Sequence, residues 1–360
     1  MTERVRLLLV DDSEIYTMAV EEAVRGRPRI EVVGVARDGL AAIEMVKRVR
    51  PDVVSMDVHM PTLGGVEAVA RLMDEAPVPI VMVTAATSAE WADISFRAIG
   101  AGALDVIAKP SGPAEMAALL ERFTILAGVQ VRRRVSRSTN AGVAAKTAPS
   151  PAAPVVPSVP SESLADLRVT PGQVLAVGIA ISTGGPPVIE AMLKELPADY
   201  PCPILLVQHL SPGFDAHLTE WLARAAKVRV RVARDGERAE PSTAYLAPSE
   251  RHLEVRMGGF LRLDSVTERV AGHRPSGTVL LRSMARAYGA RAAGLVLTGM
   301  GSDGAEGLLE LRRAGGLTAA QDATTSAVDG MPRVARENGA ARFVLRAPEV
   351  ATFLKRVAGR

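Results

Sequence analysis

Three residues in the second half of the chain have types that together cleave acyl bonds: Ser182, His209 and Asp303. Ser182 ends the apolar run VLAVGIAI, His209 ends PILLVQ, and Asp303 lies a few residues after GLVLTGM in a glycine-rich turn. A hydroxyl can attack a carbonyl, an imidazole can take its proton, and a carboxylate can orient and stabilise the imidazolium. The backbones of Thr183-Gly184-Gly185 and Met300-Gly301 offer amides for an oxyanion hole. Plainer roles stay open for each residue. Ser182 and Asp303 both precede predicted helices, where such side chains serve as N-caps. His209 could be a structural histidine, with His252 and His273 as rival bases. His217 falls inside a predicted helix and fits that role less well.

The first half holds a different set. Asp11 and Asp12 follow the first apolar run, Asp57 the third, Thr84 ends the fourth and Lys109 follows the fifth. Three converging carboxylates repel one another unless a hard cation lies between them, and Mg2+ with oxygen ligands fits. A lysine and a hydroxyl nearby suit a phosphoryl group, whose charge must be neutralised. Asp57, at the centre, can be the carboxylate that accepts it.

These residues converge only if the apolar runs are parallel strands. In the first unit VRLLLV, IEVVGVA, DVVSM, PIVMVT and ALDVIA alternate with segments of helical spacing such as SEIYTMAVEEAVRG. Fully apolar strands separated by helices imply a parallel sheet covered on both faces, and five strands suit a doubly wound α/β fold. Such a sheet delivers every strand C-terminus to one edge. From about Pro171 the alternation resumes, predicting a second α/β unit with a mainly parallel sheet. HLEVRMGGFLRLDS predicts a hairpin turning through Gly258-Gly259.

The 360 residues divide into a unit over 1–127, a Pro/Ala/Ser-rich linker over 128–168 and a unit over 169–360. The net charge of +3 invites a nucleic-acid reading, but the linker alone carries six basic residues against two acids. The remainder sums to −1 and aromatics are 3% of the chain, so neither folded unit offers a basic, base-stacking face. The single cysteine, Cys202, lies in an apolar run and reads as core. No run approaches a membrane span, and the start is not a signal peptide, so a cytoplasmic protein without membrane insertion is expected. Gly299, Gly301 and Gly304, with Asp322 beyond them, spell a dinucleotide fingerprint. Such a fold usually opens with that motif, whereas here it comes late.

LLVDDS, MDVHMP, VTA and AKP make residues 4–125 resemble the receiver domain of two-component response regulators. That resemblance implies a flavodoxin-like fold and phosphorylation of Asp57 by a histidine kinase. It also implies Mg2+ held by Asp11, Asp12, Asp57 and the His59 carbonyl, with Thr84 and Lys109 as switch residues. GIAISTGG, VQHLSPGF, AYLAPSERHLEV, HRPSGTVLL, LTGMGSDGAEG and AQDATTSAVDGMP, in this order, resemble the catalytic domain of the chemotaxis protein-glutamate methylesterase family, CheB. Here the resemblance selects His209 among the histidines. It makes Ser182 the nucleophile, His209 the base and Asp303 the orienting acid, with an oxyanion hole involving the Met300 backbone; Thr183 stays the candidate second donor, and a triad needs no cofactor in this half. It implies demethylation of glutamate esters, and deamidation of some glutamines, on chemoreceptors. The receiver is then expected to lie as a lid across the esterase edge.

The chain departs from these patterns at several points. Val106 replaces the usual aromatic of the receiver, Gly64 its usual acid, and Thr278 lies near where an acid is usual. Thr324, Thr325 and Asp329 occupy a loop where other types are common. Ala180 and Ile181 precede the nucleophile where smaller residues are usual, so a bulky Ile181 is expected to alter substrate fit. The long linker leaves the extent of receiver docking open. The rival reading is a response regulator with a decayed esterase, acting as a binding module in a receptor-kinase array.

Overall fold

The computed structural model describes residues 4–85, 97–129, 131, 162–210 and 212–360. Most of the predicted linker lies outside the described residues.

In the first unit β1 (Val5–Val10), β2 (Ile30–Ala36), β3 (Val53–Met56), β4 (Ile80–Thr84) and β5 (Asp105–Ala108) form one parallel sheet in the order β2-β1-β3-β4-β5. This is the flavodoxin-like order, with its ligand crevice at the strand C-termini. Successive side chains alternate between two cores: Leu8 and Val10 face one, Leu7 and Leu9 the other. Helices α1 (Glu14–Val24), α2 (Gly39–Val49), α3 (Gly65–Glu75) and α4 (Pro113–Leu126) cover the sheet. Ser13 and Asp38 start α1 and α2 by accepting from the Tyr16 and Ala41 amides, caps worth about 1 kcal/mol each.

The second unit has a seven-stranded sheet in the order β14-β13-β12-β6-β7-β9-β8, and every pairing in it is parallel. At its centre are β6 (Ala176–Ile181), β7 (Ile204–Gln208) and β12 (Ala292–Val296). The outer strands are β8 (Arg229–Val232), β9 (Thr243–Leu246), β13 (Leu317–Gln321) and β14 (Phe343–Leu345). The chain enters at β6, builds outward through β7, then crosses back to β12. That places the topological switch at β6 itself, where open α/β sheets bind ligands. The predicted hairpin is β10 (His252–Val255) with β11 (Leu261–Asp264), antiparallel and outside the main sheet. Gly258 and Gly259 between them both adopt positive φ, which a side chain would strain. The helices used below are α5 (Gly185–Glu195), α6 (Asp215–Ala225), α7 (Gly277–Tyr288) and α8 (Ala305–Arg313).

The two units pack together. Ile99, in the helical residues 97–101, is buried in the core of the second unit, and Val106 of β5 packs against the same cluster. From the other side Met300, Ala327 and Val328 pack with the core beneath α4.

Candidate active site

Ser182, His209 and Asp303 follow three neighbouring strands, β6, β7 and β12. The sheet therefore gathers residues more than a hundred positions apart. His209 Nε2 lies 2.8 Å from Asp303 Oδ2. Asp303 is fully buried and accepts three further hydrogen bonds, from Ser276 Oγ at 2.6 Å and the Gly277 and Thr278 amides at 2.6 and 3.0 Å. Burial works to raise the Asp303 carboxyl, but its interaction with His209 and the hydrogen bonds from Ser276 and the Thr278 amide outweigh it. The carboxyl is held below its ordinary range. The opposite ring nitrogen, His209 Nδ1, is buried and has no hydrogen-bond partner among the described residues.

Neither helix-cap alternative is realised. The N-cap of α5 is Gly184 and that of α8 is Gly304, both left-handed. The Ser182 amide donates to Thr298 O at 2.9 Å, and a Cβ on Gly299 would lie 2.7 Å from Ser182 Cβ, so glycine is required beside the serine. The rival histidines are otherwise engaged. His252 Nε2 pairs with Glu268 O and its Nδ1 with the Ser276 amide. His217 lies on α6 with Nδ1 on Gly213 O. His273 stacks on His209, centroids 3.7 Å apart and planes 9° apart. Asp322, the acid of the apparent dinucleotide fingerprint, is bonded within its own turn to the Thr325 amide and the Thr324 hydroxyl.

Two expectations change. Ile181 does not stand in front of the nucleophile: strand alternation turns it into the core on one side of the sheet and Ala180 into the core on the other. Nor does Gly185 supply an oxyanion amide, because it donates to Ser182 O within its own turn, while the Gly184 amide is held by Leu104 O of the first unit in this docked arrangement. Thr183 and Met300 remain the candidate donors. Thr278 accepts from the Gly304 amide at 2.8 Å through its hydroxyl and so braces the Asp303 loop.

Leu104 belongs to the first unit, and that unit covers the nucleophile loop. Arg122 of α4 pairs with Asp105 at 2.7 Å and donates to Thr183 Oγ1 at 2.9 Å, while Thr183 Oγ1 donates to Asp105 Oδ2 at 3.3 Å. Ser182 and Thr183 are each only 2% exposed. A 750 Å3 cavity between the units is lined by Ile125 and Val129 on one and Met300, Asp329 and Arg333 on the other. Sequence reasoning missed Asp105, Arg122 and Leu104. They sit in an ordinary strand and helix, and only docking gives them a task. It also missed the roles of His273, Ser276 and Gly277, although all three lie in the HRPSG motif it had marked.

At the other site the carboxylate oxygens of Asp11, Asp12 and Asp57 lie within 4.8 Å of one another, a hard-donor set that fits a divalent cation. Lys109 Nζ is 2.8 Å from Asp11 Oδ2 and 2.9 Å from Asp57 Oδ2. Burial lowers the lysine's tendency to protonate, but the two carboxylates prevail and hold it above its ordinary value. Burial is the main cause raising the Asp11 carboxyl, with the Asp57 charge adding to it. Thr84 is fully buried, and its hydroxyl has no hydrogen-bond partner among the described residues.

A family model described as CheB methylesterase matches residues 177–354, and one described as a response regulator receiver domain matches residues 7–121. A protein-glutamate methylesterase/protein-glutamine glutaminase of Anaeromyxobacter dehalogenans is 42% identical over 97% of this chain and 98% of its own length. One of the same name from Pyrococcus horikoshii is 36% identical over 96% of this chain and 91% of its own. The crystal structure of the Thermotoga maritima CheB methylesterase catalytic domain is 34% identical and covers 51% of this chain and 98% of that one, with a TM-score of 0.49. No helix among the described residues is long and apolar enough to cross a membrane.

Proposed function

The chain belongs to the CheB methylesterase family, with a receiver domain ahead of the esterase, and from that premise we propose how its residues divide the work. The substrate is the γ-methyl ester of glutamate side chains on chemoreceptors, and certain receptor glutamines are deamidated at the same site. Ser182 Oγ attacks the acyl carbon as His209 Nδ1 takes its proton. Asp303, bonded to Nε2, holds the ring and offsets the imidazolium charge. The Thr183 and Met300 amides bind the oxyanion. Collapse expels the methoxy oxygen, which leaves as methanol with the proton from His209; for a glutamine the leaving group is ammonia. Water then attacks the acyl-serine, gives a proton to His209 and frees the glutamate carboxylate, while the proton returns to Ser182.

The observation that supports this most directly is the delivery of His209, paired through Nε2 with a fully satisfied Asp303 carboxylate, to the strand end next to that of Ser182. It also weighs against a decayed esterase, since such a buried charge needs every one of its donors.

The receiver gates the reaction. Ser182 is almost fully buried, and the docked receiver takes the neighbouring Gly184 amide and Thr183 hydroxyl for itself. Asp57 accepts a phosphoryl group from a histidine kinase. Asp11, Asp12 and Asp57 would hold Mg2+, which when bound neutralises charge on the transferred group. Lys109 and the unsatisfied Thr84 hydroxyl are placed to bond the phosphoryl oxygens. All of this chemistry belongs in the cytoplasm, where the kinase and the receptor tails meet.

The test is a serine-directed fluorophosphonate on the full chain, with and without a small-molecule phosphodonor. Labelling should fall on Ser182 and rise with the phosphodonor. Ser182→Ala should abolish both labelling and methanol release from methylated receptors while Asp57 still takes up phosphate. Methanol release retained by Ser182→Ala would sink the triad assignment.

A further inference from the structure

His273 is a histidine that the mechanism leaves unused, and it lies flat on His209. The ring centroids are 3.7 Å apart and the planes 9° apart. The segment that carries it is fixed on both sides. The His273 amide and carbonyl pair with the Val270 carbonyl and amide. Arg274, next in sequence, donates to Ser265 O and Thr267 O and pairs with Glu250. Two residues further, Ser276 and Gly277 bind Asp303. One short segment thus holds both the carboxylate at the edge of the His209 ring and a second ring against its face.

The Asp303 bond alone leaves His209 one motion. A ring held at a single nitrogen can still tilt about that hydrogen bond, swinging Nδ1 out of line. A flat neighbour at van der Waals distance blocks the tilt and keeps water from that face. We infer that His273 is a positioning residue for the esterase, acting through the face of its ring to keep the His209 ring, and with it the unpartnered Nδ1, in the plane from which it serves Ser182. The inference rests on the triad reading above.

The charges around His273 agree with a role for a neutral ring. Burial, then His209, Arg122 and Arg269, depress it against the pull of Asp303, down to about 4. His209 can therefore take up a proton during turnover without meeting a second cation across the stack.

The test compares His273→Ala and His273→Phe in the full chain, opened with a phosphodonor. The readouts are receptor demethylation, fluorophosphonate labelling and thermal unfolding. His273→Ala should lower kcat about 30-fold with KM within about twofold, the scale of a misplaced catalytic group, and slow labelling in parallel. Water then reaches the uncovered face and hydrates the imidazolium, so the acid limb of kcat/KM should move to higher pH. His273→Phe keeps a flat cover and should restore kcat to within about threefold, with the limb unmoved. Natural labelling and kcat in His273→Ala would overturn the inference. So would equal impairment in both variants, because then the ring nitrogens and not the face would matter. A lowered unfolding temperature with an unchanged pH profile would leave His273 a purely structural residue. Failure of the natural chain to label at all would overturn the triad reading itself.

Discussion

Ile181 shows what neighbouring sequence can and cannot say about a site. Its place before Ser182 suggests contact with substrate, yet the period of two in a strand turns its side chain into the core. Ile181→Val should therefore cost about 1 kcal/mol of stability, read by denaturant unfolding, with KM for methylated receptors unmoved. A changed KM would return Ile181 to the substrate pocket. Thr278 makes the converse case: it is expected as a departure near an acid position, yet it braces the Asp303 loop through Gly304. Thr278→Val keeps the shape but strands a buried amide, and should lower stability by about 1–3 kcal/mol in the same measurement. That Ser182, His209 and Asp303 follow strands of one sheet was legible because serine, histidine and aspartate at strand ends are chemically conspicuous. The second ring on His209 was not, since a stack depends on two loops that only the folded sheet brings together.

At the scale of elements, the apolar runs and helical spacings were enough to foresee two α/β units and the Gly258-Gly259 hairpin. Strand order was beyond them. Nothing local in residues 292–296 says that they pair with β6 across more than a hundred residues, and that pairing creates the site. The element with most bearing on control is β5. Lys109, just past its end, touches Asp57, while Leu104 and Asp105 at its start hold Gly184 and Thr183. Val106, where an aromatic relay is usual, itself packs against the esterase core, so a shift of this one strand reaches both sites. Arg122→Ala removes α4's share of the clasp. It should raise basal labelling of Ser182 about fivefold, the equivalent of about 1 kcal/mol of docking, and shrink the further gain from phosphorylation. Asp57→Asn should keep the low basal rate and lose the response to phosphodonor altogether.

For the whole molecule, the long linker left receiver docking open, and the structure resolves that point with a docked arrangement: Ile99 lies in the esterase core and Met300 and Val328 lie against the receiver core. Removing residues 1–165 should raise the basal rate of methanol release, and a fall would mean that the receiver assists the esterase. Docking has a second consequence, because coupling between two sites runs both ways. If a phosphoryl group on Asp57 loosens the receiver from the nucleophile loop, then anything lodged on that loop must favour the phosphorylated receiver by the same factor. A chain whose Ser182 carries a bulky phosphonate should bind a phosphoryl analogue at Asp57 more tightly than the free chain, measurable by titration. A receptor segment held in the cleft would do the same, so the enzyme would stay switched on for longest where it has substrate to act upon.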